Sequence, residues 1–260
     1  FRGRLFSDRE SWLKAAQDGR AALDHVFKVA EIDTSSADAV FGVGVYDYFG
    51  AAIPERYPVV RPLMIFFPDA NRARGLRRLE RVVDEGRFIH TEAAWFLLQI
   101  HLVFEPDYTE ALRYARWLRG NYPENALFHL MEGRVFVKWG QWDESAGIFR
   151  EVAALYDAGS PGYSEPLASQ AHYFLGRNAM RLGDHRRALE HFARVGELEE
   201  KYDHDSYVLV QSELRKGMTH DLLGQREQAL RAYRRVLRMD DRGASRERAR
   251  RYISEPYLIE

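Results

Sequence analysis

Three pairs of glycines constrain this chain more than any other feature. Glycine stands seven residues apart at Gly133 and Gly140, at Gly176 and Gly183, and at Gly217 and Gly224, and the pairs are offset by 43 and 41 residues. Five positions after each second glycine comes a small residue (Ser145, Ala188, Ala229), and four further on an aromatic one (Phe149, Phe192, Tyr233). A glycine inside a helix lets a neighbouring helix approach closely, and a glycine after the last turn takes the left-handed conformation that ends it. The small residue then admits the returning helix, and the aromatic ring fills the gap between successive hairpins. The spacing predicts antiparallel helical hairpins repeated along the chain.

Three segments carry this pattern best: Tyr173-Phe174-Leu175-Gly176, Leu182-Gly183-Asp184 and Arg187-Ala188-Leu189-Glu190-His191-Phe192. Gln228-Ala229-Leu230-Arg231-Ala232-Tyr233 repeats the third of them, and Ala111 lies 34 residues before Ser145. These residues resemble the tetratricopeptide repeat, a helical pair of roughly 34 residues. The resemblance implies an all-α fold in which antiparallel helical hairpins stack into a right-handed superhelix, a solenoid. Apolar spacing and turn signals place helices near 8–31, 36–50, 69–85, 89–104, 107–120, 124–139, 142–157, 164–182, 185–201, 204–223, 226–239 and 244–254. No strand ladder is expected. Residues 1–260 read as one helical-repeat domain, with degenerate repeats over 1–88, clearer ones over 89–239, and a capping helix and tail over 240–260. The junction Val29–Ala39 resembles an inter-repeat turn but has Thr34 where the family usually has proline.

One segment breaks the pattern. Residues 51–69 hold four of the nine prolines (Pro54, Pro58, Pro62, Pro68) together with Val59, Val60, Leu63, Met64, Ile65, Phe66 and Phe67. Proline interrupts a helix, so an extended apolar insertion within a hairpin is expected. It either covers the core beneath it or forms a docking surface.

Signals of catalysis are poor. Gly42-Val43-Gly44 begins like a dinucleotide fingerprint, but Asp47 stands at the third glycine position and no strand precedes it, so close helix packing is expected. No phosphate-binding loop, nucleophile elbow or helical pair of histidines around a glutamate occurs. There is no cysteine, which excludes thiol chemistry and sulfur-ligated metal. His101 and Glu105 lie one helical turn apart, which suits a local ion pair or a hydrogen-bonded histidine and is too few ligands for a closed metal site. His185 and His191 are six residues apart on one helix and point to different faces. The chain is read as non-enzymatic, with no cofactor and no metal.

The resemblance places the first helix of each hairpin on the concave face, where peptides dock. With Gly133, Gly176 and Gly217 as references, the positions one and five residues later are Arg134 and Lys138, Arg177 and Arg181, then Met218 and Leu222. Four cations therefore surround Tyr173, with Tyr46 on the corresponding part of an earlier helix. Tyr46, Arg134, Lys138, Tyr173, Arg177 and Arg181 are the candidate partner-binding residues. They suit a peptide or protein with acidic, carboxylate-bearing groups, because arginine pairs two-pronged with carboxylates. The alternative is that neighbouring acids such as Glu132 and Glu165 satisfy the arginines internally.

Lysine and arginine total 38 against 39 acids, a net charge of −1, so no global attraction to nucleic acid is implied. The stretch from Arg226 to Arg251 holds ten arginines against four acids. Arg246, Arg248, Arg250 and Arg251 are distributed around a helix, which favours a solvated capping helix over a nucleic-acid site. The longest uncharged run in the N-terminal half, Ala93 to Phe104, has twelve residues, fewer than the roughly 20 a membrane-spanning helix needs. The chain starts at Phe1 with no basic, apolar leader, so its compartment stays open: cytoplasmic, or periplasmic if a targeting segment has been removed. The expected function is a scaffold or adaptor that binds a peptide or protein partner in its concave groove. The alternative is a structural subunit that assembles through the apolar insertion and the edges of the solenoid.

Overall fold

The computed structural model describes residues 12–33 and 35–258. The expected helix residues 8–11 and the junction residue Thr34 lie outside the described residues. Twelve α-helices and no strand are present among the described residues, so the fold is an all-α helical repeat. The chain clusters into two compact units, residues 1–118 and 119–260, whose boundary falls inside one helix.

The N-terminal unit contains α1 (Trp12–Ile32), α2 (Phe41–Arg56), α3 (Arg72–Glu85), α4 (His90–Gln99) and most of α5 (Tyr108–Asn121). Asn71 starts α3 by accepting the Arg74 amide on its side chain at 2.9 Å. Helices α2 and α3 meet backbone to backbone, since a Cβ on Gly75 would lie 2.8 Å from the Gly44 carbonyl oxygen. The Gly42-Val43-Gly44 segment is therefore a packing site, with Gly42 against Val26. The Asp47 carboxylate is buried at this crossing and takes a two-pronged bond from Arg74 at 2.7 and 2.6 Å, with Arg78 as a further donor. Asp38 accepts from the amides of Arg87, Phe88 and Ile89 and fixes the turn between α3 and α4.

Two expectations change in this unit. The insertion is helical, not extended. Helix α2 carries Pro54 in its last turn, so the proline ends the helix without dividing it, and a 3-10 helix follows over Pro58–Phe66. Val59 and Ile65 point outward at 84% and 82% exposure, whereas Val60, Met64 and Phe67 are half-buried. His101 also departs from the ion-paired or hydrogen-bonded state. Helix α4 runs into a π-helical stretch, Ile100–Phe104, and the buried imidazole stacks on Tyr114 at 5.9 Å. Neither ring nitrogen has a hydrogen-bond partner, and burial pushes the His101 pKa down. Glu105 turns instead to the Tyr48 hydroxyl and to Arg72, 2.6 Å away.

The C-terminal unit is three hairpins and a closing helix: α6 (Ala126–Trp139) with α7 (Trp142–Asp157), α8 (Glu165–Arg181) with α9 (His185–Glu199), α10 (Tyr207–Leu222) with α11 (Arg226–Val236), then α12 (Ser245–Ser254). The glycine code builds each hairpin. A Cβ on Gly133 would lie 2.8 Å from the Phe149 ring, one on Gly176 would lie 2.6 Å from Phe192, and one on Gly217 would run into Tyr233. The aromatic residue thus packs on the glycine of its own hairpin and also reaches the next one, as where Phe149 stacks on Phe174 at 4.8 Å. Gly140, Gly183 and Gly224 take positive φ values of 82°, 76° and 70° and reverse the chain. Ser145, Ala188 and Ala229 are buried where the second helix returns. Phe149, Phe192 and Tyr233 anchor cores continued by Leu130, Val152, Val195, Leu214 and Val236.

Candidate functional site

The first helices of successive hairpins, α6, α8 and α10, touch one another and form the inner layer of the C-terminal unit. On α8 the Tyr173 ring is buried at 4% exposure, and Arg177 lies one turn further on. The Arg177 guanidinium sits 5.0 Å from the Trp142 ring, 5.6 Å from Tyr173 and 5.5 Å from Phe174. Trp142 is brought there because it opens α7 directly after the Gly140 turn. From α10, Arg215 reaches the same tyrosine, with Nε 3.5 Å from the Tyr173 hydroxyl. Arg181 lies 5.9 Å from Trp142, and its Nη2 donates to Asn178 Oδ1 at 3.2 Å and faces Asp143 Oδ1 at 3.5 Å. Trp142, Arg177, Met180, Arg181, Arg215 and Tyr257 line a cavity of about 310 Å³.

The electrostatics of this cavity are unbalanced. Neither Arg177 nor Arg215 has a carboxylate partner among the described residues. Burial, and next the charge of Arg215, push the Arg177 pKa below its ordinary value. The acids that could have neutralised the arginines are engaged elsewhere: Glu132 binds Arg119 and Glu165 binds Lys201, each at 2.7 Å. What remains is a pair of cations held over aromatic faces, open to an anionic group with an apolar flank.

Residues 100–160 and 130–198 match the family model for the tetratricopeptide repeat. Residues 100–198 carry tetratricopeptide repeats. Among solved structures, BtubC from P. vanneervenii is 12% identical over 95% of each chain with a TM-score of 0.61. PilW, a widely conserved type IV pilus biogenesis factor, is 14% identical over 91% of this chain and 92% of its own, with a TM-score of 0.54. YrrB, a tetratricopeptide protein with an unusual peptide-binding site, is 16% identical over 87% of this chain and 97% of its own, with a TM-score of 0.51. At such identities the likeness is one of fold. No curated protein matches the sequence. The tetratricopeptide fold is that of protein-interaction scaffolds and is typically non-catalytic. Among the described residues no helix is long and apolar enough to cross a membrane.

The six expected site residues divide. Tyr173, Arg177 and Arg181 come together at the cavity. Arg134 is exposed on α6, with Nη1 3.6 Å from the Met131 sulfur. Lys138 is exposed on the same helix and makes no ion pair among the described residues. Tyr46 belongs to the N-terminal unit, where its hydroxyl donates to the Pro68 carbonyl and its ring packs on Phe27 at 5.6 Å. Met218 does not line the groove, being buried in the core that α12 covers.

Trp142, Arg215 and Tyr257 were not expected in the site. Trp142 could have been found from its place after a turn glycine, beside the next inner helix. Arg215 lies two residues before its reference glycine, and Tyr257 lies beyond the last repeat, where no periodic signal reaches. His191 pairs not with His185 but across the hairpin, its Nδ1 3.0 Å from Nδ1 of His172. No group of three or more histidine, aspartate and glutamate side chains that could hold a metal ion occurs among the described residues.

Proposed function

We propose that the C-terminal unit binds an acidic, aromatic-flanked segment of a partner protein, with Arg177 and Arg215 receiving its carboxylate. The observation that carries this reading is the convergence of two guanidiniums without carboxylates on one buried tyrosine. Trp142 and Tyr257 offer faces to the partner's apolar side chains, and Arg181 offers a third, partly engaged cation. Each charge-assisted bond from the arginines contributes on the order of 1.5–3 kcal/mol once water is excluded. Arg134 and Lys138, exposed on the neighbouring inner helix, extend the positive surface for a longer acidic segment. The chain acts as a scaffold without catalysis, and nucleic acid is not its partner.

A displayed random-peptide library selected on the full chain tests this. Peptides with aspartate or glutamate beside an aromatic residue are expected, and an Arg177→Glu, Arg215→Glu double variant should lose their binding by at least about tenfold. Selected peptides without acids, or affinity unchanged in the variant, would overturn the proposal. A second role is favoured by one observation, the outward Val59 and Ile65 of the 3-10 insertion, which suit a subunit contact. Light scattering on Val59→Asp, Ile65→Asp against the parent chain tests it: the parent self-associates and the variant does not. A monomeric parent chain at micromolar concentration sinks that second role.

A further inference from the structure

Many arginines of this protein find carboxylates. Arg72, Arg74, Arg113, Arg119, Arg194 and Arg226 all make ion pairs shorter than 3 Å. Among the arginines without an ion pair, one group is gathered on a single concavity. Helix α11 is amphipathic: Ala229, Ala232, Tyr233 and Val236 are buried, while Arg231, Arg234 and Arg235 lie on its exposed side and Arg238 is exposed in the turn that follows. Across from them, α10 contributes Glu213 and Lys216, and together these residues line a cavity of about 440 Å³. Glu213 is the only acid in that lining and is already engaged, by Lys216 at 3.1 Å and by Arg235 at 3.8 Å. Arg231, Arg234 and Arg238 have no ion pair among the described residues.

We infer that this cavity is a second binding site, distinct from the aromatic one, for a compact anion carrying several phosphates. Lys216, Arg231, Arg234, Arg235 and Arg238 against Glu213 leave a local charge of +4 (five cations less one acid) on a chain whose total is −1. Cations brought to one concavity repel one another unless an anion joins them, and arginine forks match phosphate oxygens in pairs. The spacing of the charges decides between ligand classes: Arg231, Arg234, Arg235 and Arg238 fall within two helical turns' length of chain, and a short phosphate chain carries its charges on adjacent centres, whereas peptide carboxylates sit on separate flexible side chains. The lining has no phenyl, phenol or indole ring and only Ala232 as an apolar residue, and its one imidazole, His220, is held by Gln225 at 2.8 Å, so it offers a peptide side chain no apolar anchor. Recognition rests on the phosphates alone.

Calorimetric titration of the full chain with inorganic tripolyphosphate, ATP without magnesium, and monophosphate at 0.15 M salt tests the site. Tripolyphosphate is expected to bind, with monophosphate at least about tenfold weaker. ATP binding as tightly as tripolyphosphate identifies a nucleotide's phosphates as a sufficient source. Weaker ATP binding identifies a free phosphate chain. The Arg231→Glu, Arg238→Glu variant should weaken tripolyphosphate at least about tenfold, and Arg231→Gln, Arg238→Gln should weaken it less. An Arg186→Glu, Arg250→Glu variant applies the same charge change at exposed sites outside the cavity and should alter affinity by less than about twofold. Absence of binding by tripolyphosphate and ATP at millimolar concentration would overturn the proposal, as would an equal loss in the variant outside the cavity. Arg177→Glu, Arg215→Glu should bind tripolyphosphate like the parent chain, which keeps this site separable from the peptide cavity.

Discussion

At the scale of single residues, the pair formed by His172 and His191 makes the C-terminal unit sensitive to acid. With Nδ1 atoms 3.0 Å apart, one neutral imidazole donates and the other accepts, and a second proton has no place between them. The outer nitrogen of His172 is buried without a partner. Burial, followed by the neighbouring His191, pushes the His172 pKa down to about 4, whereas an unfolded histidine titrates near 6.5. The folded state therefore binds fewer protons than the unfolded one between these values. Stability is complete above about pH 6.5 and falls as pH is lowered toward 4, below which the His172 contribution levels off. At pH 5 the loss from this residue is on the order of 2 kcal/mol. Urea midpoints at pH 7 and pH 5 measure it, and His172→Phe should shrink the difference. A variant with the parent's full pH dependence would assign the acid sensitivity to other groups.

At the scale of helices, glycine identity separates packing from mere tolerance. A methyl on Gly176 would stand 2.6 Å from the Phe192 ring, so Gly176→Ala must push α9 away or turn the ring, at a cost of about 1–3 kcal/mol. Gly196, within α9, has nothing within 4 Å of a built Cβ, so Gly196→Ala should stabilise by about 0.5–1 kcal/mol through helix propensity. Thermal unfolding of the two variants reads the opposite signs, and destabilisation by both would refute the distinction. The repeat was legible because a glycine facing a ring is a steric requirement that recurs wherever the same hairpin recurs. The insertion was misjudged because a proline near the end of a helix, as Pro54 is in α2, has no further turn to break, and because Pro58 and Pro62 fit a short 3-10 helix. His101 was misjudged for another reason: spacing shows that Glu105 is within reach, but not that Tyr48 and Arg72 compete for it from distant parts of the sequence. A third of the cavity's lining, Arg177 and Arg181, was legible for the same reason the hairpins were, since these residues, like Tyr173 beside them, occupy repeat positions. Arg215 and Tyr257 come from elsewhere and are placed by tertiary packing alone.

At the scale of the molecule, net charge says little and local closure says more. A chain of charge −1 draws acidic partners only through local cations, and these act over a screening length of about 8 Å at physiological salt. The peptide cavity depends in turn on how the last repeat is closed. Asp221, its side chain 1% exposed, accepts from Arg226 at 2.9 Å, from the Tyr233 hydroxyl at 2.8 Å and from the Tyr257 amide at 2.9 Å. Arg226 also donates to the Ile253 carbonyl at 2.6 Å, so one buried carboxylate ties α10, α11, α12 and the following segment together. That segment carries the Tyr257 ring to the cavity of Arg177 and Arg215. Closure of the unit and completion of the proposed binding surface are consequently one structural event. Asp221→Asn should cost about 2–4 kcal/mol, because buried donors lose a charged acceptor, and should weaken the selected acidic peptide as well. Tyr257→Ala keeps the amide that Asp221 binds, so it should weaken the peptide while costing stability no more than about 1 kcal/mol. Denaturant midpoints and peptide titrations on both variants separate the two effects. If Asp221→Asn keeps full peptide affinity despite its lost stability, the segment bearing Tyr257 does not belong to the binding surface.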